Sequence, residues 1–169
     1  MIQNGFNSLR NNLYFTSFIV LLFFICASDL LAQSPPNFSG TWTLDNAKSD
    51  ASFKEYKVIC NIKQTTDSIL IELTFIMPDG EKVTSPSTSY TLDGKETSNE
   101  KLGGIDKKSA KWSPDKKVLT ITNTRTVGSD VYGSNTSYKL SENRMVLTVQ
   151  TLDINPSSGT KLLQVFNKN

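Results

Sequence analysis

The chain has 169 residues, no histidine, two cysteines and a formal charge of +2. Without histidine it lacks the commonest general base and metal ligand, and every histidine-based triad is excluded. So small a charge gives no case for nucleic acid or an anionic membrane surface as partner.

The N-terminal stretch reads as a targeting signal. Residues 1–12 are polar with Arg10 as the one positive side chain, residues 13–27 are an apolar run, and "SDLLAQS" follows. A charged start, a short apolar centre and a small residue at the cut make a secretory signal. The run falls short of the ~20 residues of a spanning helix, and Asp29 then interrupts the apolar stretch. Cleavage is expected after Ala32, with residues 1–32 as signal and 33–169 as one mature domain, periplasmic or secreted. Two alternatives stay open. The segment is retained as an anchor, or it directs lipid attachment at Cys26, where Ile25 replaces the usual small preceding residue. Cleavage removes Cys26 and leaves Cys60 alone, so the mature chain has no internal disulfide.

The mature region opens with "NFSGTWTLDNAKSD", residues 37–50, in which a glycine and a tryptophan precede the first expected strand, Gly40–Leu44. Turn signals then recur at near-even steps: "TTDS", "PDG", "LDG", "GG", "SPD", "GSD", "SEN" and "NPSSG". Gly supplies positive φ, Pro fixes φ, and Asn, Asp and Ser bond back to the local backbone. Between the signals lie short runs rich in Val, Ile, Thr, Tyr and Phe, the pattern of an all-β sandwich or barrel. Period-two alternation places Tyr56, Val58, Cys60 and Ile62 on one face. It does the same for Ile69, Ile71, Leu73, Phe75 and Met77, and for Met145, Leu147 and Val149. "SPDKKVLTI" lies over "SENRMVLTV" at an offset of 28 residues, which suggests one repeated hairpin. The expectation is an antiparallel up-and-down meander of about nine strands, ending near residues 160–166 and closed so that no edge is left free. Lys101, Lys107, Lys108, Lys111, Lys116 and Lys117, interleaved with Glu100, Asp106 and Asp115, read as a solvated hairpin.

"FSGTW" before such a meander resembles the Gly-x-Trp opening of lipocalins and their relatives, especially the small lipocalin-like β-barrel proteins exported by bacteria. The resemblance implies a barrel of about 8–9 strands. It gives Gly40 the tight entry into the first strand and Trp42 the closure of the barrel end. Lipocalins often place an Arg near the end of the last strand to stack on that Trp; here only Lys168 is available. The Thr-Asp-x-Tyr segment of lipocalins is absent. So is the Arg-x-Tyr pair of fatty-acid binders, since neither Arg125 nor Arg144 has the Tyr.

For chemistry, Cys60 on an apolar face reads as a buried structural thiol. The carboxylates are scattered over turns, and no zinc or calcium spacing is present, so neither a metal nor a cofactor is implied. Hydrophobicity is uneven: the middle of the chain is dominated by Ser and Thr, as in "TSPSTSYT" and "YGSNTSY". Small polar residues on half a barrel wall leave room for one small ligand. Tyr90, Trp112, Arg125, Tyr132 and Tyr138 are the candidate ligand-binding residues, with Tyr132 and Tyr138 on the same side by parity. The function expected is non-enzymatic binding of a small apolar or amphipathic molecule. The alternative is a structural or protein-interaction domain of the cell envelope with a filled core.

Overall fold

A computed structural model describes residues 34–154 and 159–169. The expected signal, Cys26 and the cut after Ala32 lie outside the described residues, as does most of the "NPSSG" turn. Among the described residues no helix is long and apolar enough to cross a membrane.

Eleven strands follow in chain order: β1 (Gly40–Leu44), β2 (Lys57–Gln64), β3 (Ser68–Ile76), β4 (Lys82–Thr84), β5 (Thr88–Thr91), β6 (Thr97–Lys101), β7 (Gly104–Trp112), β8 (Val118–Val127), β9 (Asp130–Leu140), β10 (Val146–Asp153) and β11 (Lys161–Lys168). All pairings are antiparallel, in the order β4-β3-β2-β1-β11-β10-β9-β8-β7-β6, with β5 also on β3. The fold is therefore an all-β antiparallel meander, and β1 brings the first and last strands of the chain side by side by pairing with both β2 and β11.

Two features differ from the sequence reading. The strands outnumber the nine expected, partly because Pro86 interrupts one strand. Its halves, β4 and β5, both pair with β3, and Ser85 bridges them by exchanging bonds with Leu73. The sheet is also not closed. Among the described residues no backbone ladder joins β5 to β7. Lys108 crosses that seam instead, its Nζ donating to the Ser89 carbonyl at 2.9 Å and lying 5.5 Å from the Tyr90 ring centre.

Alternation selects which side chains face inward. Val58, Cys60 and Ile62 on β2, Ile69 and Ile71 on β3, Leu119 and Ile121 on β8, and Leu147 and Val149 on β10 are all buried in one core. Because strands from both halves of the sheet supply that core, the sheet is rolled around it. Met145 departs from the expected stripe: it sits in the turn before β10 and is exposed.

The repeated segment is repeated in structure. Ser113 and Ser141 each accept at Oγ from the backbone N–H five residues on, Val118 and Val146, at 3.0 Å. Each also donates to the side chain two residues on, Asp115 at 2.6 Å and Asn143 at 2.7 Å. Lys116 and Arg144 then take matching positive φ values of 56° and 58°. Both turns launch a strand whose first inward residue, Leu119 or Leu147, is buried.

Candidate functional site

The inner face has two parts, and Trp42 anchors the first. Its indole is fully buried, and Nε1 donates to the Phe38 carbonyl at 2.9 Å. Satisfying that N–H is what permits a buried indole. Gly40 enters β1 with φ +143°, a region few side chains adopt. A Cβ there would lie 3.2 Å from Lys168 Cε. The space is used: Lys168 Nζ sits over the Trp42 indole, 5.2 Å from its ring centre.

Phe38, which the sequence reading passed over, organises this end. It is fully buried, stacks on Trp112 at 5.7 Å with nearly parallel planes, and meets Tyr138 edge-on at 6.3 Å. Gln64 fastens the segment before it, accepting from Phe38 N–H and donating to the Pro36 carbonyl. Two of the five candidate residues, Trp112 and Tyr138, thus pack around Phe38. Burial raises the Tyr138 phenol above its ordinary range, with Cys60 and Tyr90 adding to the shift. Burial also pushes the Cys60 thiol up to about 12, so it stays protonated and unreactive at neutral pH.

The second part lies over β6, β7, β8 and β9. Here a concave trough of about 700 Å³ is lined by Thr97, Asn99, Asp106, Asn123, Arg125 and Tyr132, among others. The register explains the lining. Asp106 pairs with Arg125 and Arg125 with Tyr132, on the same parity as buried Ala110, Ile121 and their neighbours. Two more candidates, Arg125 and Tyr132, are thereby brought together across adjacent strands. Tyr90 lines a smaller recess of about 150 Å³ at the β5–β7 seam. Its phenol is raised by burial, and a hydrogen bond from Asn123 offsets part of the rise.

Arg125 is held from three directions. Nη1 donates to Asp106 Oδ1 at 2.8 Å, and Nη2 donates to the carbonyls of Lys101 (2.8 Å) and Leu102 (3.2 Å). It therefore fastens the β6–β7 turn as well as facing the trough. The Tyr132 ring is 43% exposed at the rim, and its hydroxyl reaches Asp130 only at a long 3.4 Å. Gly133 beside it has φ +151°, and a Cβ there would come within 2.0 Å of the Asn123 carbonyl oxygen. Only glycine lets β9 lie so close to β8.

Asp106 and Lys108 belong to the lysine-rich stretch read from sequence as a solvated hairpin. Lys108 is exposed, but Asp106 is half-buried and faces inward against Arg125. Counting parity back from Ala110 along β7 is the signal that finds it. Among the described residues no group of three Cys, Asp or Glu side chains is placed to hold a metal ion.

No protein-family model matches the chain, and no curated protein matches it. Solved structures with similar folds include a secretary abundant heat soluble (SAHS) protein from Ramazzottius varieornatus, at 12% identity and TM-score 0.48, covering 80% of this chain and 98% of that one. Another is the zebrafish ileal bile acid-binding protein complexed with cholic acid, at 18% identity and TM-score 0.47, covering 78% of this chain and 98% of that one.

Proposed function

We propose that the chain is an exported, non-enzymatic binding protein whose trough over β6–β9 holds a small amphipathic molecule. The trough itself carries the reading. Its volume of about 700 Å³ falls within the roughly 300–1,000 Å³ of small-molecule sites. It offers a few convergent polar groups on an otherwise carbon-rich floor. The absence of histidine and the protonated, buried Cys60 leave no activated nucleophile beside it. Export rests on residues 1–32, with the cut near Ala32.

The second reading is a protein-interaction domain of the cell envelope. It draws on the exposed apolar side chains of Leu102, Ile105, Val127 and Val131 at the tips of the β6–β7 and β8–β9 hairpins. Native mass spectrometry of the full chain, expressed in a bacterium with its own N-terminus and purified without detergent, separates the two. A mass beginning at Gln33 with a small molecule released on denaturation is expected. A bare polypeptide that also fails to bind anilinonaphthalene sulfonate would sink the binding reading and favour the interaction domain.

A further inference from the structure

We infer that the group recognised in the trough is a neutral polyhydroxyl headgroup, a sugar or polyol, and not a carboxylate or other anion. The inference rests on the reading of the trough as a ligand site. Its starting point is that the cations there are already engaged. Arg125 spends Nη1 on Asp106 and Nη2 on two backbone carbonyls. Lys107 is turned to Glu96 at 2.9 Å. Lys108 is turned to the seam, on the Ser89 carbonyl and the Tyr90 ring. A carboxylate approaching Arg125 meets the Asp106 carboxylate, which already occupies the guanidinium, and the two like charges repel.

What remains free is of another chemistry. Asp106 Oδ2 receives no hydrogen bond from the described residues. Asn99 presents an amide with both donors and an acceptor. Asn123, with one amide N–H directed to the Tyr90 hydroxyl, keeps a donor and its acceptor, and Thr97 Oγ1, whose proton goes to the Lys108 carbonyl at 3.3 Å, adds an acceptor. An anion only accepts, so it would leave the Asp106 oxygen and the amide carbonyls unmatched, which is costly where water is displaced. A pair of neighbouring hydroxyls both donates and accepts, and matches the planar carboxylate and amides two bonds at a time. The exposed Tyr132 ring beside them suits the C–H face of a sugar ring. The Asp106–Arg125 pair, neutral as a unit, positions these groups without drawing in charge.

The test is a titration of the ¹⁵N-labelled protein, purified after expression of the full chain in a bacterium. Three probes are compared: octyl glucoside below its micelle concentration, methyl glucoside, and decanoate. The Asn99 and Asn123 side-chain amides and the Arg125 Nε–H report on the trough. Octyl glucoside is expected to saturate these signals with an affinity at least about tenfold above that of decanoate. Asn99→Ala, at an exposed β6 position, is expected to weaken octyl glucoside at least threefold and leave decanoate unchanged. Methyl glucoside binding as tightly as octyl glucoside also supports the headgroup, and makes the ligand a free saccharide. Decanoate binding more tightly overturns the headgroup inference while the trough stands as a ligand site. If none of the three moves the trough signals, the site reading falls and the inference with it.

Discussion

The two ends of one inner sheet face are made of opposite materials, and the change occurs within single strands. On β8 the inward residues run Leu119, Ile121, Asn123, Arg125; on β7 they run Trp112, Ala110, Lys108, Asp106. The first two of each set pack in or against the core, and the last two line the trough or its margin. The alternation never slips, so the backbone is the same instrument throughout. Only the side chains switch, from burial that holds the sheet together to polar groups that have no packing task. A fold can carry a site cheaply in this way: one end supplies the stability and the other is released from supplying it.

The sharpest way to break this comparison is to truncate one large side chain at each end. Trp42→Ala removes a fully buried indole whose N–H is satisfied. A loss of about 3–5 kcal/mol is expected in urea denaturation. Tyr132→Ala at the open rim is expected to cost less than about 1 kcal/mol. Equal costs would show that the trough end contributes to the core after all.

Gly133→Ala tests the same contrast from the backbone. The open end gains little from its side chains, but β9 lies so close to β8 that a methyl group would overlap the Asn123 carbonyl. A loss of about 2–3 kcal/mol is expected, with disturbed Asn123 and Arg125 signals in the ¹⁵N spectrum. A neutral result would mean that the trough end is slack enough to shift, and that its stated shape is not fixed.

Alkali probes the buried end most strongly, with Tyr90 at the seam shifted in the same direction. Cys60 and Tyr138 both hold their protons more tightly in the folded state, because burial disfavours their charged forms. Folded pKa values raised above the unfolded ones mean that this contribution is complete below the ordinary values of 9.0 and 10.0 and is lost as pH rises past them. Urea midpoints are therefore expected to fall between about pH 8 and about pH 11, by less in Cys60→Ala than in the natural chain. A midpoint that holds steady across that range would mean that water reaches these groups.

Much of the filled end was legible in the sequence, because burial leaves a period-two signature and turns have a local chemistry. The strand at Gly40–Leu44, the stripe through Val58, Cys60 and Ile62, and the paired turns at Ser113 and Ser141 all follow from short-range patterns. The trough was less legible because it depends on which strands become neighbours. Arg125 and Tyr132 were singled out, but their meeting depends on the β8–β9 register, and Asp106 is recruited only through β7. Phe38 was missed because it precedes the first strand, where no alternation marks a residue as inward. The open β5–β7 seam was missed because strand-like composition does not say whether the last pair of edges meets.

Lys168→Met gives the smallest expected effect and the finest test of how the filled end is finished. The lysine lies over the face of the indole, its Cε in the space that Gly40 leaves by having no side chain. Methionine keeps most of the apolar stem and removes the charge, so a change in stability reports the cation on the ring rather than lost packing. A loss of about 0.5–1 kcal/mol is expected, with Lys168→Arg restoring it. A methionine variant as stable as the natural chain would show that packing and the Nε1 bond to Phe38 secure Trp42 by themselves. The lysine would then serve only to cover the ring from water, and Gly40 would be required for its backbone angle alone. The two halves of the inner face would then differ more sharply than their composition suggests, one held by apolar contact and the single indole bond to Phe38, the other presenting its polar groups to the trough.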